Sequence, residues 1–343
     1  LDDPRLVMAA LWVVYEQQKS ALVEQADLQQ VAQTMDFPLI NVLAQMEFRG
    51  IKIDASKLEK MNKSLAQEIA AVQQNIYDMV GYEFNVASPA QLASALFDKL
   101  LLPTAGIKKG KTGYSTNQKE LDKLRGQHPI IELVERFREL SKLQNTYVAA
   151  LPEQTDANGY IHTTFNQDAT ATGRLSSTNP NLQNIPIRTE LGRQIRDAFV
   201  PAPGNVFVNA DYSQFELRLA AVMAGEKQMI EDFNADVDIH AKTAAEVYNV
   251  PINEVTPTQR RRAKVVNFGV LYGMSQHGLA AAANMSYGEA QHFIDEYYRI
   301  RPHIKEFMEQ TIRQAHEDGF VQTLFGRRRP TPDVRSNNFA VRS

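Results

Sequence analysis

The segment TPTQRRRAKVVNFGVLYG, residues 256–273, decides how the rest of the chain is interpreted. It opens with a helix-initiation pattern. Thr256 offers a hydroxyl N-cap, and Pro257 follows at the first helical position, where its missing N–H costs nothing. Gln259 stands three residues after Thr256 and completes a capping-box pattern. The sequence therefore predicts a helix that starts at residue 257.

Four side chains of this predicted helix follow one another at intervals of four residues. They are Arg260, Lys264, Phe268 and Tyr272, named here the 260–272 stripe. Residues four apart share a helix face, and at about 1.5 Å per residue the stripe is roughly 18 Å long. Two cations precede two aromatic rings, and Gly269 and Gly273 leave room beside the rings. This order suits a ligand with a polyanion at one end and a flat ring at the other, such as a nucleoside triphosphate.

A purely structural role is the alternative for this stripe. A run of three arginines is usually a solvated helix face, and Phe and Tyr at helical spacing usually belong to a core. The stripe alone favours that interpretation, and the other segments of the chain reverse the preference.

The bulk composition limits the class of protein. With 343 residues and a net charge of −3, the chain carries no overall positive excess, so a nucleic-acid surface must be a local patch. The absence of cysteine excludes disulfides and thiolate metal sites. The apolar run from Val7 to Val14 is too short to span a membrane, and no signal peptide is evident. Because the first residue is Leu, we expect an internal piece of a longer polypeptide.

Two polar segments, TATGRLSS and NPNLQNIPIR, lie between residues 170 and 188 and are named here the 170–188 loop. They are dense in amides and hydroxyls and are interrupted by prolines. Their Asn, Gln and Arg side chains are the types that reach minor-groove acceptors and phosphates. A plain connector fits the composition equally well, so the residues alone leave both possibilities open.

A carboxylate is predicted at the end of a strand. The segment from Val206 to Asp211 has strand character, and residues 212–218 then turn into a helix. An acid at a strand end beside a helix start is a common position for a hard metal ion, because the strand holds the carboxylate rigidly. The alternative is that Asp211 only caps the helix.

Together these motifs resemble those of family A DNA polymerases, the class of the bacterial DNA polymerase I large (Klenow-type) fragment. DYSQFELR at 211–218 resembles the family's motif A, and RxxxKxxNFGxxYG at 260–273 resembles motif B, the O helix of the fingers. The 170–188 loop resembles the palm segments that hold the primer–template duplex. The resemblance runs in order from about residue 36 to the end. It implies an α+β, helix-rich right-hand fold of thumb, palm and fingers, with the C-terminal part of the palm missing.

The resemblance also implies a division into domains. Residues 1–35 resemble the end of a 3′–5′ exonuclease-like domain, without the acidic cluster that such a nuclease needs. The other expected ranges are 36–155 for the thumb and the start of the palm, 156–222 for the palm with motif A, 223–335 for the fingers with motif B, and 336–343 for the start of the return to the palm.

Residue roles follow at the positions that match the motifs. The resemblance makes Asp211, Arg260 and Lys264 catalytic. Asp211 would bind magnesium with the Tyr212 carbonyl as a further ligand, and the two cations would hold the triphosphate. Lys264 would also donate a proton to pyrophosphate. The implied nucleotide-binding residues are Tyr212, Ser213, Gln214, Glu216, His240, Arg260, Lys264, Phe268 and Tyr272, and the implied DNA-binding residues are Lys142, Arg174, Asn181, Gln183, Asn184, Arg188 and Tyr272.

Some of these roles are specific. The resemblance implies that His240 reaches the phosphates and that Phe268 packs on the incoming sugar and base. Glu216, hydrogen-bonded to Tyr272, would exclude a ribose 2′-OH. Phe215 stands where the family usually has an aliphatic residue, and we expect it on the packed side of its helix.

The sequence departs from the family at one point of the chemistry. The family's second catalytic aspartate belongs to a His-Asp-Glu hairpin, and no His-Asp-Glu occurs in this sequence, which stops at Ser343. One carboxylate cannot hold two metal ions well. We therefore expect the parent protein to be a DNA polymerase and this chain to be inactive, or nearly so, by itself.

The resemblance implies template-directed addition of deoxynucleotides to a primer 3′-hydroxyl in replication and repair. The expected partners are primer–template DNA, a dNTP and two magnesium ions, in a monomeric, cytoplasmic, nucleoid-associated protein with no membrane contact. Two alternatives remain. One is a relative of single-subunit RNA polymerases, against which Glu216 argues because that position must admit a 2′-OH there. The other is a non-catalytic primer–template or nucleotide-binding module.

Overall fold

A computed structural model describes residues 3–111 and 113–338. The chain divides into two compact units: Leu1–Phe37 with Asn209–Ser343, named here the first unit, and Pro38–Val208, the second unit. The second unit therefore begins at Pro38 and ends at Val208. The division into thumb, palm and fingers stays a prediction. Of the expected return to the palm, residues 339–343 lie outside the described residues.

Helices make up most of both units. In chain order they are α1 (Pro4–Val23), α2 (Ala26–Val31), α3 (Phe37–Arg49), α4 (Ala55–Val80), α5 (Pro89–Ala93), α6 (Gln118–Leu121), α7 (Ile130–Leu143), α8 (Ala150–Glu153), α9 (Glu190–Asp197), α10 (Phe215–Ala224), α11 (Lys227–Asn234), α12 (Ile239–Tyr248), α13 (Pro257–Leu271), α14 (Gln276–Ala283), α15 (Tyr287–Ile300) and α16 (Pro302–Asp318). Short π-helical segments cover Ala32–Asp36, Ser94–Lys99 and Gln144–Val148, and 3₁₀ turns cover Asp122–Leu124, Ile252–Glu254 and Pro332–Arg335. No helix among the described residues is long and apolar enough to cross a membrane.

Short strands pair in twos within the described residues. They are β1 (Ile51–Lys52), β2 (Lys109–Gly110), β3 (Gly113–Tyr114), β4 (Tyr160–Ile161), β5 (Thr164–Asn166), β6 (Ser176–Thr178), β7 (Phe320–Gln322) and β8 (Arg328–Pro330). β1 pairs with β4, β2 with β3, β5 with β6 and β7 with β8, all antiparallel. The result is a helix-rich α+β protein.

The core of the second unit lies between α4 and α7. Asp54 starts α4 by accepting a hydrogen bond from the Ser56 N–H at 3.1 Å. Gly81 ends it with a φ of 87°, a left-handed conformation that glycine adopts without strain. The fully buried side chains on both helices recur at helical spacing, and include Leu58, Leu65, Ile76, Ile130, Val134 and Leu140. Amphipathic patterning therefore accounts for this pairing.

The first unit is built around α12, α13 and α15. The capping box at the start of α13 is confirmed: Thr256 Oγ1 accepts from the Gln259 N–H at 3.2 Å, and Gln259 Oε1 accepts from the Thr256 N–H at 2.9 Å. Ala263 and Val266 are buried on the inner face of α13. The polar N-terminal residues of α13 are consequently left on its outer face.

The expected strand from Val206 to Asp211 is absent. This segment has no regular structure, and Val206 and Val208 are 80% and 85% exposed. None of the described strands pairs with it. A strand needs a neighbour to satisfy its backbone N–H and C=O groups, and apolar sequence alone does not supply one. The prediction of a strand ending in Asp211 is therefore wrong.

Candidate functional site

The 260–272 stripe lies along α13 and just past its end. Arg260 and Lys264 are exposed, and Phe268 is half-buried. Tyr272 follows as the C-cap residue and is 62% exposed. Neither a stripe that is exposed along its whole length nor solvated cations with two core aromatic rings describes all four side chains. The cations are solvated, whereas one ring packs partly against the protein and the other faces solvent.

Arg260 forms an ion pair with a residue of the neighbouring helix. Its Nε lies 2.7 Å from Oδ2 of Asp238, which is the N-cap residue of α12. Oδ1 of Asp238 accepts the backbone N–H groups of His240 at 3.0 Å and Ala241 at 3.1 Å. Partial burial acts to raise the pKa of Asp238, but the hydrogen bonds from Arg260, Ala241 and His240 outweigh it and hold the pKa below its usual value.

His240 is buried, at 2% exposure, beside the ring of Phe268. Its Nδ1 lies 3.0 Å from Nδ2 of Asn267, so with this orientation of the amide Asn267 donates to Nδ1. Burial lowers the pKa of His240 to about 4, and the charges of Arg260 and Lys264 add to the effect while Asp238 opposes it. The imidazole is therefore neutral at pH 7, with its proton on Nε2.

A buried polar network lies behind His240, and no sequence motif predicts it. Thr243 Oγ1 lies 3.2 Å from Asn267 Oδ1 and accepts from Nη2 of Arg301 at 2.9 Å. The same Nη2 lies 3.2 Å from Oε2 of Glu246. Asn267, Thr243 and Arg301 are at most 2% exposed. Their positions in the sequence are far apart, so no local pattern marks them, although such a network fixes the mutual positions of α12 and α13.

The two glycines of the segment play different parts. A Cβ on Gly269 would lie 2.4 Å from Cδ2 of Leu279, so this glycine allows α13 to pack closely on α14. The expectation that it leaves room for a ligand is wrong. An added Cβ on Gly273 would meet nothing within 4 Å, which agrees with open space beside Tyr272.

The predicted motif A residues form an exposed turn before α10. Asp211, Tyr212 and Ser213 are exposed, and Gln214 precedes the helix with a φ of 54°, in the left-handed region. Because Gln214 is the N-cap residue of α10, the alternative that Asp211 merely caps this helix is wrong. Glu216 is half-buried in the first turn.

Phe215 does not lie on the packed side of α10, as the sequence led us to expect. It is 46% exposed, and its ring centroid lies 5.3 Å from that of Tyr212. Leu217 and Ala221, two and six residues further on, occupy the core face instead. The position of Phe215 at the start of the helix turns its side chain away from that face.

The described residues do not complete a magnesium site. No group of three or more His, Asp or Glu side chains in the described part of the chain is placed to hold a metal ion. Asp211 offers a single carboxylate and the Tyr212 backbone one carbonyl, whereas Mg²⁺ requires near-octahedral oxygen coordination. These two groups therefore do not fit a pair of ions by themselves.

The 170–188 loop is anchored from behind by buried hydroxyl groups. Thr163 Oγ1 lies 2.7 Å from Ser177 Oγ and 2.8 Å from the carbonyl of Pro180, and the Leu182 N–H donates to Ser177 Oγ at 3.1 Å. The Tyr147 hydroxyl donates to the carbonyl of Asn184 at 2.6 Å. These bonds anchor the loop to the rest of the second unit, so the loop is more than an unstructured connector.

The predicted DNA-binding side chains of the second unit all face solvent. They are Lys142 on α7 and, in the loop, Arg174, Asn181, Gln183, Asn184 and Arg188. Gln183 Nε2 donates to the Leu175 carbonyl at 3.1 Å. The amides and arginines of the loop are thus exposed on a segment that buried hydroxyl groups anchor from behind. Contact with DNA remains a prediction for each of these residues.

A cavity of about 760 Å³ in the second unit contains none of the predicted site residues. It lies between the end of α4 and the start of α7, and its lining includes Asp78, Met79, His128 and Glu132. The predicted site residues therefore lie outside this cavity.

Comparison with known proteins assigns the chain to a family. The sequence profile of DNA polymerase family A matches residues 55–343. The chain belongs to DNA polymerase family A. It is 48% identical to DNA polymerase I of Bacillus caldotenax over 312 residues, which is 90% of this chain and 35% of that protein. It is 45% identical over its full length to DNA polymerase I of Geobacillus stearothermophilus, of which it covers 40%.

A solved structure agrees with the family assignment. The polymerase domain of Pol1 from M. smegmatis, determined in complex with a DNA primer–template and a dNTP, matches this fold with a TM-score of 0.79 and 41% sequence identity. The match covers 90% of this chain and 54% of that one. The expected helix-rich, right-hand polymerase fold is confirmed. The chain spans about two-fifths or less of the two bacterial polymerases named above.

Proposed function

We propose that this chain is part of an enzyme that adds deoxynucleotides to a primer 3′-hydroxyl on a DNA template, with release of pyrophosphate. One observation carries the proposal. In a family A chain, α13 presents Arg260 and Lys264 to solvent beside a buried, neutral His240 and the ring of Phe268. The proposed setting is a monomer in the cytoplasm, at the nucleoid.

In the proposed nucleotide complex, Arg260 and Lys264 bind the triphosphate. Charge-assisted hydrogen bonds from such cations are stronger than neutral ones, and they also stabilise the charge that develops on the departing pyrophosphate. Lys264 is the proposed proton donor to that leaving group. His240, neutral with an Nε2–H, would contribute a hydrogen bond without adding charge.

The base and sugar would lie against the aromatic end of the stripe. Phe268 is held partly buried beside His240, so its ring offers a fixed surface for stacking. Tyr272 is exposed and is proposed to contact the templating base as well as the nucleotide. Glu216, paired with Tyr272, is proposed to exclude a 2′-OH. Tyr212, Ser213 and Gln214 complete the proposed nucleotide contacts.

Primer–template DNA is the proposed ligand of the 170–188 loop and Lys142. Exposed Arg and Lys would neutralise phosphates, and exposed Asn and Gln would reach base edges in the minor groove. The hydroxyl anchors behind the loop support this proposal, because a preorganised loop loses less conformational freedom on binding.

Asp211 is the proposed carboxylate for a divalent metal ion. The resemblance implies two magnesium ions and a second aspartate in a His-Asp-Glu hairpin, which does not occur in this sequence. We propose that residues 1–343 alone extend a primer weakly or not at all for this reason.

Nucleotide binding tests the proposal without requiring catalysis. The affinity of residues 1–343 for a dNTP is measured by isothermal titration for the wild type, Arg260→Ala and Lys264→Ala. Each substitution removes a charge-assisted contact and is expected to weaken binding by about tenfold. Lys227→Ala, at an exposed lysine that starts α11, is the control and should change little. Equal affinities in all four proteins would contradict the proposal.

A non-catalytic primer–template or nucleotide-binding module is the second candidate. The incomplete metal site within the described residues favours it over an RNA polymerase relative. This second candidate predicts that the protein binds dNTP and DNA and that no longer form of the protein extends a primer.

A further inference from the structure

Asp238 already binds the Arg260 guanidinium. Its Oδ2 lies 2.7 Å from Nε of Arg260, one of the two cations of the stripe. The side chains of this pair are 45% and 40% exposed, so both groups remain accessible to solvent and to a ligand.

The ion pair has a consequence for any anion that binds Arg260. A guanidinium held by a carboxylate must exchange that partner for a phosphate, so the free energy of the ion pair is subtracted from the free energy of binding. The unpaired carboxylate would then lie close to a polyanion, and this repulsion further weakens the complex. Both effects act in the same direction.

The two oxygens of Asp238 have separable duties. Oδ1 caps α12 through the N–H groups of His240 and Ala241, whereas Oδ2 holds Arg260. Asn is as good an N-cap residue as Asp. Substitution with Asn therefore keeps the helix start and removes only the charge that competes for Arg260.

We propose that Asp238 is an internal competitor for Arg260 that lowers the affinity of the site for polyphosphates and so favours release of pyrophosphate. The inference rests on the proposed function, because it requires Arg260 to bind phosphate. When the triphosphate binds, Arg260 leaves Asp238, and when pyrophosphate departs, the ion pair forms again. The carboxylate thus limits product affinity without touching the reacting atoms.

Titration of residues 1–343 with inorganic pyrophosphate tests the inference. Asp238→Asn is expected to tighten pyrophosphate binding by about two- to fivefold, which is the change of affinity that corresponds to the loss of one exposed ion pair. Glu296→Gln is the control, since it removes one carboxylate from another ion pair of the same unit, between the half-buried Glu296 and the exposed Arg299. It should leave the affinity unchanged. Circular dichroism of both variants verifies that the helices are retained.

A double substitution separates competition for Arg260 from simple repulsion. In the Arg260→Gln background, Asp238→Asn should give little or no further gain. An equal gain of affinity in both backgrounds would show that Asp238 acts only by electrostatic repulsion of pyrophosphate. A loss of affinity in Asp238→Asn would show that Asp238 positions Arg260 for the ligand. Either result overturns the inference. If Arg260→Gln itself does not weaken pyrophosphate binding, the proposed function fails instead.

Discussion

His240 is an imidazole kept neutral by its surroundings. Burial lowers its pKa to about 4, whereas in the unfolded chain it titrates near 6.5. Between these two values the unfolded chain binds a proton that the folded chain does not. The free energy of unfolding therefore falls as the pH is lowered through this window, by at most about 1.4 kcal/mol per pH unit.

The first prediction concerns this pH dependence. His240→Gln removes the titrating group, so the loss of stability between pH 7 and pH 5 should be smaller than in the wild type by about 2 kcal/mol. Urea unfolding at the two pH values measures the difference. His316→Gln, at an exposed position, is the control and should keep the wild-type pH dependence. An unchanged dependence in His240→Gln would show that the imidazole is not held neutral by folding.

At the residue scale, the sequence predicted which residues share a helix face, but it did not predict which residues they contact. The positions of Arg260, Lys264 and Phe268 on one helix follow from local spacing, and the structure has them there. The partners of these residues come from distant parts of the chain: Asp238 and His240 lie on α12, and Arg301 lies between α15 and α16. Packing decides such contacts, and one sequence does not reveal packing.

At the element scale, α13 and α14 depend on a missing side chain. A Cβ on Gly269 would come within 2.4 Å of Leu279, which is fully buried. Gly269→Ala is therefore expected to lower the free energy of unfolding by about 1–3 kcal/mol, as other overpacked cores do. Gly288 in α15 has nothing within 4 Å of its added Cβ, so Gly288→Ala should be neutral or stabilising by up to about 1 kcal/mol.

Denaturant unfolding of these two variants makes a matched comparison. If steric conflict with Leu279 is the cause, Leu279→Ala should cost less in the Gly269→Ala background than in the wild type. Additive losses would contradict this explanation. They would assign the effect of Gly269→Ala to another cause.

Gln214 offers a second prediction at this scale. Its φ of 54° is unfavourable for a residue with a side chain, and glycine adopts it freely. Gln214→Gly should therefore stabilise the first unit by up to about 1 kcal/mol. Gln310→Gly, within α16, should instead destabilise by a similar amount. A loss of stability in Gln214→Gly would show that side-chain contacts of Gln214 outweigh its backbone strain.

Elements with local determinants were predicted well, and elements that need a partner were not. The capping box of α13 involves two residues three positions apart, Thr256 and Gln259, and both of its hydrogen bonds form. The expected strand at 206–211 failed because its stability depends on hydrogen bonds to another strand, which no pattern within the segment specifies. Val206 and Val208 are exposed as a result.

At the scale of the whole molecule, the exposed cations of the 170–188 loop predict salt-dependent DNA binding. Arg188→Gln should weaken primer–template binding and reduce the slope of log affinity against log salt by about 1, the contribution of one phosphate contact. Fluorescence anisotropy at several salt concentrations measures the slope. Arg125→Gln is the control, because Arg125 is already paired with Asp122 and Glu135. An unchanged slope in Arg188→Gln would remove Arg188 from the DNA surface.

The family and fold class were predictable because several long motifs occur in order along the chain. The two compact units are not evident from the sequence, because the first unit joins Leu1–Phe37 with Asn209–Ser343. Contacts between distant segments set such boundaries, as in the ion pair of Arg327 with Asp36 in the first unit.

Primer extension tests the central claim most directly. Residues 1–343 and a longer form that continues past Ser343 along the gene are each incubated with a primed DNA template, dNTPs and magnesium. We predict that the longer form extends the primer, that residues 1–343 do so weakly or not at all, and that Asp211→Asn abolishes extension by the longer form. Extension by residues 1–343 at the rate of the longer form would contradict the assignment of Asp211 as one of two required carboxylates. No extension by either form would contradict the proposed polymerase function itself.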